Sequence, residues 1–377
     1  MLNDIRFNLP INLEKKFKNN FTILSNIQRI EDLHQTITKQ PVFPSWAEEI
    51  KKTELIRSVG STNAIEGSVL EPEEINKAFM KADTNQMLTK LEAESVNSRN
   101  VHNFILEWAE NNANGKIDES LIRQIHTLTT RGIDYVGNVP GEYRDISSTI
   151  GYPRRETILK NRSQIMNKMR EFVAWLNGAH TRKPTEIPFI LAVMAHYYLS
   201  EIHPFGDGNG RTARALEALI LYKYGKINEY CFYGLPNYCY RERNKYISEL
   251  GKIYVTEDVT DFVYFCTEGF IENLTYILDS IFAKLYSLIF MDYAHQLRRE
   301  KRLNKKQVSI LQYLINVGRI EYNEFMKSKL FGISDDTKRR YMKKFQNHDL
   351  IEIVDENKIK TIYPNLDVVK QIKYVIP

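Results

Sequence analysis

Apolar positions recur at helical spacing through most of the chain. The segment WAEEIKKTELIRSV, Trp46 to Val59, predicts a helix that runs into Gly60 and then STNAIEGS. A second helix is predicted to open at LEPEE, where Pro72 and the acidic residues after it suit a first turn. Further helices are predicted at 86–112, 119–131 and 158–178, the last ended by Asn177-Gly178. Two strongly apolar helices follow, Pro188 to Ile202 and Arg211 to Tyr224, the second stopped by Gly225. After Tyr246 the pattern is helical again to about Lys301. The period changes in two places. Between Gly141 and Ile158 the stretch EYRDISSTIGYPRRETI predicts a short β-hairpin centred on Gly151-Tyr152-Pro153. Near the C-terminus, helices at 305–316, 321–329 and 334–348 precede IEIVDENKIKTIYP, read as strand–turn–strand. Residues 1–46 are mixed, closed by Pro41 and Pro44. The fold class expected is mainly α.

Composition narrows the picture. With 377 residues the chain has room for two or three domains. We expect an N-terminal helical region at 1–115, a core domain at 116–260, connecting helices at 261–300 and a C-terminal module at 301–377. Cys231, Cys239 and Cys266 form no CxxC pair, which excludes a Cys-rich zinc module and favours a reducing compartment. The N-terminus has no apolar signal-peptide run. Leu274 to Ala294 is apolar-rich but contains Asp279 and Lys284, and reads as a buried amphipathic helix. A cytoplasmic protein with no membrane partner is expected. The net charge is +5, yet Arg298 to Pro377 carries 18 Lys+Arg against 10 Asp+Glu. This basic tail points to a separate partner, with DNA the first candidate and a solvated surface the bland alternative.

The loop His203-Pro204-Phe205-Gly206-Asp207-Gly208-Asn209-Gly210, between the two apolar helices, carries the chemistry. Its glycines let backbone N–H groups approach an anion, and it feeds a helix N-terminus that favours phosphate. Arg211 and Arg214, three apart in the first turn, are expected to project to one side and suit a di- or triphosphate. Asp207 among phosphates implies an intervening Mg²⁺. His203 is placed to take a proton from an attacking hydroxyl, and Asn209 to donate its amide to a phosphate oxygen. No GxxxxGK(S/T) is present, and the GxGxG spacing after a helix is not a dinucleotide fingerprint.

His203 to Arg214, HPFGDGNGRTAR, resembles the signature of the Fic family, HxFx(D/E)GNGRxxR, at every fixed position. The resemblance covers roughly Trp46 to Tyr254. It implies a helical core with a β-hairpin flap, and transfer of AMP from ATP to a Ser, Thr or Tyr hydroxyl of a protein, releasing diphosphate. By that resemblance His203 would be the base, Phe205 the loop's anchor and Asp207 the Mg²⁺ ligand. Gly208, Asn209 and Gly210 would form the anion hole. Arg211 and Arg214 would grip the β- and γ-phosphates, and Tyr246 would lie near the adenine. Thr149, Ile150, Gly151 and Tyr152 would form the flap that pairs with the target backbone. Thr62-Asn63-Ala64-Ile65-Glu66-Gly67 is similar to the family's inhibitory motif, in which the glutamate, here Glu66, pairs with the second arginine, here Arg214. An Arg committed to a carboxylate cannot grip phosphate. Self-modification and a homodimer follow by analogy only.

Bland readings stand beside these. His196, seven residues before His203, is read as a core histidine supporting the loop rather than a metal ligand. Tyr238 and Tyr240 are read as core. The C-terminal module resembles a winged helix–turn–helix, whose third helix carries Lys338, Arg339, Arg340, Lys343 and Lys344 behind the N-cap Ser334. Asp335 and Asp336 suit that helix's dipole but would repel DNA phosphate. The rival function is a nucleotide-sensing DNA-binding regulator without catalysis. A third reading keeps the enzyme but changes the donor, or removes AMP with water.

Overall fold

The computed structural model describes residues 21–40, 42–112, 114–150, 155–157, 159–178, 187–225 and 234–371. Contacts divide the chain into two units, Met1–Leu278 and Asp279–Pro377, so the division falls within a helix rather than beside one.

Unit 1 opens with α1 (Phe21–Lys39), α2 (Pro44–Ile65), α3 (Pro72–Asp83), α4 (Lys90–Asn111) and α5 (Glu119–Thr130). The mixed reading of residues 1–46 missed α1, which buries Ile23, Ile27, Ile30 and Ile37 along one stripe. Helix α2 does not stop at Gly60. A Cβ there would lie 3.0 Å from Ile75 Cδ1, so this glycine lets α3 approach rather than ending a helix. The helix therefore runs through Thr62 and ends at Ile65, with Glu66 at its C-cap. Both α3 and α4 begin in reciprocal capping boxes, Glu71 with Glu74 and Thr89 with Glu92.

A two-stranded hairpin follows, β1 (Thr149–Ile150) antiparallel to β2 (Arg155–Glu156), with Thr149 opposite Glu156. Its turn, including Gly151 and Tyr152, lies outside the described residues, as does Cys231. Thr157 closes the hairpin's foot, its N–H donating to the Ser148 carbonyl at 2.8 Å. That tie holds the chain out of helix until α6 (Arg162–Gly178), later than the expected start at 158.

Helices α7 (Ile187–Ile202) and α8 (Asn209–Tyr224) pack side by side at the centre of unit 1. From Phe189 to Leu199 every residue of α7 is buried, as is every residue of α8 from Arg211 to Tyr222, the pattern of helices enclosed on all sides. Around them lie α9 (Leu235–Arg241), α10 (Arg243–Thr256) and the first part of α11 (Thr260–Arg299). Helix α11 is long and apolar enough to cross a membrane by length and composition alone. Its Phe262, Phe265, Cys266 and Phe270 are buried in unit 1.

Unit 2 contains the rest of α11, then α12 (Lys305–Val317), β3 (Ile320–Glu321), α13 (Tyr322–Lys327), a 3-10 turn at Leu330–Gly332 and α14 (Asp335–Asn347). Strands β4 (Ile351–Glu356) and β5 (Ile359–Pro364) and the short α15 (Val368–Gln371) complete it. The sheet has three strands, ordered β3-β5-β4, all antiparallel. Only two were read from the sequence, because β3 is two residues long. Lys338 is not a surface cation. It is buried, and its Nζ donates to the carbonyls of Met326 and Ser328 at 2.5 Å each, tying α14 to the end of α13.

Candidate active site

The loop from His203 to Gly208 joins α7 to α8, and its shape is set from beneath. Phe205 is fully buried and stacks on His126 of α5, with ring centroids 3.7 Å apart and planes 3° from parallel. The Gly141 N–H donates to His126 Nδ1 at 2.9 Å, so Nε2 carries the hydrogen and donates to the Asp207 carbonyl, also at 2.9 Å. Burial pushes the His126 pKa down to about 4, which keeps this arrangement neutral at physiological pH. Asn209 clasps Phe205 from both sides: its Nδ2 donates to the Phe205 carbonyl and its Oδ1 accepts from the Phe205 N–H, each at 2.9 Å. Its side chain is therefore engaged within the loop. A Cβ on Gly206 would collide with the Gly137 carbonyl oxygen, so the loop can lie there only as glycine.

The two motif arginines have different surroundings. Arg211 is buried, donates to Tyr135 Oη at 2.8 Å and to Asp207 Oδ1 at 3.1 Å, and lies 3.6 Å from Glu94. The expectation that both arginines project to one side therefore does not hold. Arg214 turns toward α2. Its Nε donates to Thr62 Oγ1 at 2.8 Å, and its Nη2 donates to the Thr62 carbonyl at 3.0 Å and to Glu66 Oε1 at 2.6 Å. Beneath it, Tyr246 hydrogen-bonds Arg214 and His196. His196 Nε2 lies 2.9 Å from Tyr246 Oη, and its Nδ1 lies 2.8 Å from Glu217 Oε2. His196 is thus a core histidine, as expected, and it supports Arg214 through Tyr246.

Glu66 stands over the N-terminus of α8. A Cβ on Gly210 would collide with Glu66 Oε1 and lie 3.2 Å from Arg214 Nη1. The carboxylate therefore occupies the place where the free N–H groups of the first turn and Arg214 converge on an anion. Burial works to raise its pKa, but the charge and hydrogen bond of Arg214 outweigh burial and hold it below the usual carboxylate value.

A cavity of about 900 Å³ opens here, lined by Glu66, Thr149, His203, Gly210, Arg214 and Tyr246, with Ser200, Arg243 and Asn244. It brings together Glu66 at the end of α2, the first strand of the hairpin, His203 and the N-terminal turn of α8, and its size suits a small-molecule ligand. Asp207, about half exposed, is the loop's one carboxylate. No cluster of three His, Cys, Asp or Glu side chains able to hold a metal occurs among the described residues. A lone carboxylate fits Mg²⁺, which is commonly held by one or two carboxylates together with substrate phosphates and water.

Sequence reading did not find His126, Arg144, Tyr135 or Glu94. Each acts on the loop or on Arg211 just after it from 59 to 117 residues away in the chain, and no local pattern marks it. Arg243, whose Nε donates to the Ile65 carbonyl at 3.2 Å, was likewise not singled out.

Residues 116–221 match the Fic/DOC family model. The chain is 41% identical over 103 residues to the protein adenylyltransferase Fic of Drosophila yakuba, covering 26% of this chain and 19% of that protein. It is 46% identical over 61 residues to protein adenylyltransferase fic-1 of Caenorhabditis elegans, covering 16% and 12%. The chain thus spans about a fifth or less of the length of these relatives. Among solved structures, a Fic family protein from Desulfovibrio desulfuricans aligns over 92% of this chain and 97% of its own, with TM-score 0.55 and 18% identity. Fic-1 from Caenorhabditis elegans aligns over 69% and 72%, with TM-score 0.55 and 20% identity. These likenesses show a Fic-type fold.

Proposed function

We propose that this chain, which carries a Fic/DOC domain in residues 116–221, is a protein adenylyltransferase held in check by Glu66. The observation that carries the reading is the Glu66 carboxylate on Arg214 and over Gly210, with His203 lining the same cavity. A site built for anions is filled by one of the chain's own.

In the released state Arg214 would be free to grip the terminal phosphates of ATP, and the N–H groups of the α8 first turn would hold phosphate oxygens. A target segment pairing along β1 would present its hydroxyl to His203. The hydroxyl oxygen attacks the α-phosphorus as the bond to the β-phosphate bridging oxygen breaks. His203 takes the hydroxyl proton, and diphosphate leaves. Asp207 and the phosphates would hold Mg²⁺, which would supply charge neutralisation there. The same site argues against a sensor without catalysis, since binding a nucleotide needs no base.

The test is transfer of label from ATP carrying it at the α-phosphate. Glu66→Gly should become labelled, or label an added target, roughly 10- to 100-fold faster than the unsubstituted chain, the scale of one charge-assisted hydrogen bond. Adding His203→Ala should lower that by roughly 100-fold or more. Equal labelling with and without Glu66 would remove the brake from this reading. Label from γ-labelled ATP alone would replace AMP transfer with phosphate transfer.

For unit 2 we propose a winged helix–turn–helix that binds DNA. Support comes from the order α12, α13, α14, β4, β5 with β3 on the sheet, and from the exposed Arg339, Arg340 and Lys343 on α14. Binding should weaken steeply with salt and fall on Arg340→Ala.

A further inference from the structure

We propose that Arg144 is a positioning residue that locks the backbone of His203 to the foot of the β1–β2 hairpin, so that the base and the target-docking strand move as one piece. The proposal rests on the reading of His203 as the base.

Arg144 is 4% exposed, and no carboxylate pairs with it among the described residues. A buried guanidinium without a counter-ion is costly, so its retention asks for a compensating interaction. Its bonds supply one. Nε donates to the His203 carbonyl at 2.7 Å, and the Arg144 backbone N–H donates to the Pro204 carbonyl at 2.9 Å. These oxygens lie just beyond the C-terminus of α7, where the helix dipole is negative and its last carbonyls lack helical partners. The end of α7 therefore acts as the counter-charge of Arg144.

The other prong of the guanidinium reaches the flap. Nη1 donates to the Ile146 carbonyl at 2.5 Å, three residues before β1 begins at Thr149. Between them Ser148 is tied twice to Thr157, through its carbonyl at 2.8 Å and its N–H at 3.2 Å. Thr157 is fully buried, so the hairpin's foot is fixed to the body of unit 1. One rigid fork thus spans the carbonyl of the base and the root of the docking strand, and a lysine ammonium has no planar fork with which to do so.

His203 itself needs such a hold. Its φ is +50°, in the left-handed region, which a non-glycine residue keeps only where its surroundings impose it. Two of the bonds that fix the turn at His203 and Pro204 come from Arg144.

The test uses the full chain carrying Glu66→Gly, with Arg144→Lys and Arg144→Ala added separately. The kcat for AMP transfer should fall roughly 100-fold, the scale of an ångström-level misplacement, while the KM for ATP stays within about twofold. In histidine-selective NMR, the His203 ring signals, assigned through His203→Ala, should move in Arg144→Lys while those of His126 stay in place. Unchanged kcat with unmoved His203 signals would overturn the proposal. So would a rise in the KM for ATP together with shifts at His126, which would mean that the loop as a whole had collapsed. If Arg144→Ala does not fold, Arg144→Lys carries both readouts alone. If the Glu66→Gly chain transfers no AMP, the assignment of the base falls, and the NMR comparison still decides whether Arg144 holds His203.

Discussion

Two helix N-termini in this chain are built in opposite ways. Helix α14 looks after its own end. Ser334 caps it, accepting from the Thr337 N–H, and Asp335 and Asp336 in the first turn complement its dipole. Helix α8 does neither. Its N-cap is Gly208, in a left-handed conformation with φ +73°, no side chain caps the first N–H groups, and the first turn holds Arg211 instead of an acid. Its negative partner, Glu66, arrives from another helix across 148 residues of chain. A helix end that satisfies itself is structural. One left open, lined with glycine and supported by buried cations, is what an exchangeable anion would need, as the proposed reading requires.

Four changes would break or sharpen this contrast. The largest effect is expected from Gly210→Ala. The added methyl would take the space of the Glu66 carboxylate and of any phosphate that replaces it, so labelling should fall roughly 100-fold even in the Glu66→Gly chain, as for lost oxyanion-hole contacts. If Gly210→Ala labelled as fast as its parent, the anion would not sit at this helix end.

Acid should come next. Burial pushes His126 and His102 down to about 4, against about 6.5 in the unfolded chain. Between those values the unfolded state binds protons that the native state refuses. Stability is therefore full above pH 6.5 and declines as the pH falls, by about 2 kcal/mol per histidine at pH 5. Trp46, Trp108 and Trp175 all lie in unit 1, so urea midpoints from tryptophan fluorescence report the unit that contains α8. His126→Gln should flatten part of that slope, and an unchanged slope would exclude His126 as its source.

Tyr246→Phe should cost about 1–3 kcal/mol in the same unfolding measurement, because it leaves His196 Nε2 and Arg214 short of a buried partner. The smallest effect belongs to the self-capped end. Ser334→Ala should cost about 1 kcal/mol of unit 2 stability, followed by hydrogen exchange of α14 amides, and should leave AMP transfer untouched. A loss of transfer there would mean that the two ends are coupled.

The cavity-lining residues of the two motifs were legible because each motif is contiguous. His203, Gly210 and Arg214 stand in one twelve-residue run, and Thr62 and Glu66 in another. What could not be read was which way each side chain turns. Arg211 and Arg214 share a first turn, yet Tyr135 and Glu94 draw one inward while Thr62 and Glu66 draw the other to the cavity. Asn209 looked like a phosphate donor and is instead clasped to Phe205. Tyr246, expected near the adenine, lines the cavity but spends its hydroxyl on His196 and Arg214. Lys338 sits among cations in the sequence and is buried in the fold. Each of these outcomes depends on partners distant in the chain. The helices were legible through periodicity, whereas Gly60 passed for a stop because its packing partner, Ile75, is 15 residues away.

The place of Glu66, one residue past the last turn of α2, has a kinetic consequence. Its side chain is 38% exposed, and the next residue, Gly67, has φ +96° and open space around its Cα. Once its bond to Arg214 is broken, releasing the carboxylate would need only that the end of α2 fray, a kind of motion that takes nanoseconds to microseconds, and not that α2 leave its bed. Such fraying is far faster than the roughly ten turnovers per second typical of enzymes. On the proposed reading, the inhibited and active forms would interconvert many times within each catalytic cycle. If Glu66 is the brake proposed above, it would act by scaling the steady rate through the fraction of time spent open, so progress curves should start without a lag and differ between the chain and Glu66→Gly only in slope.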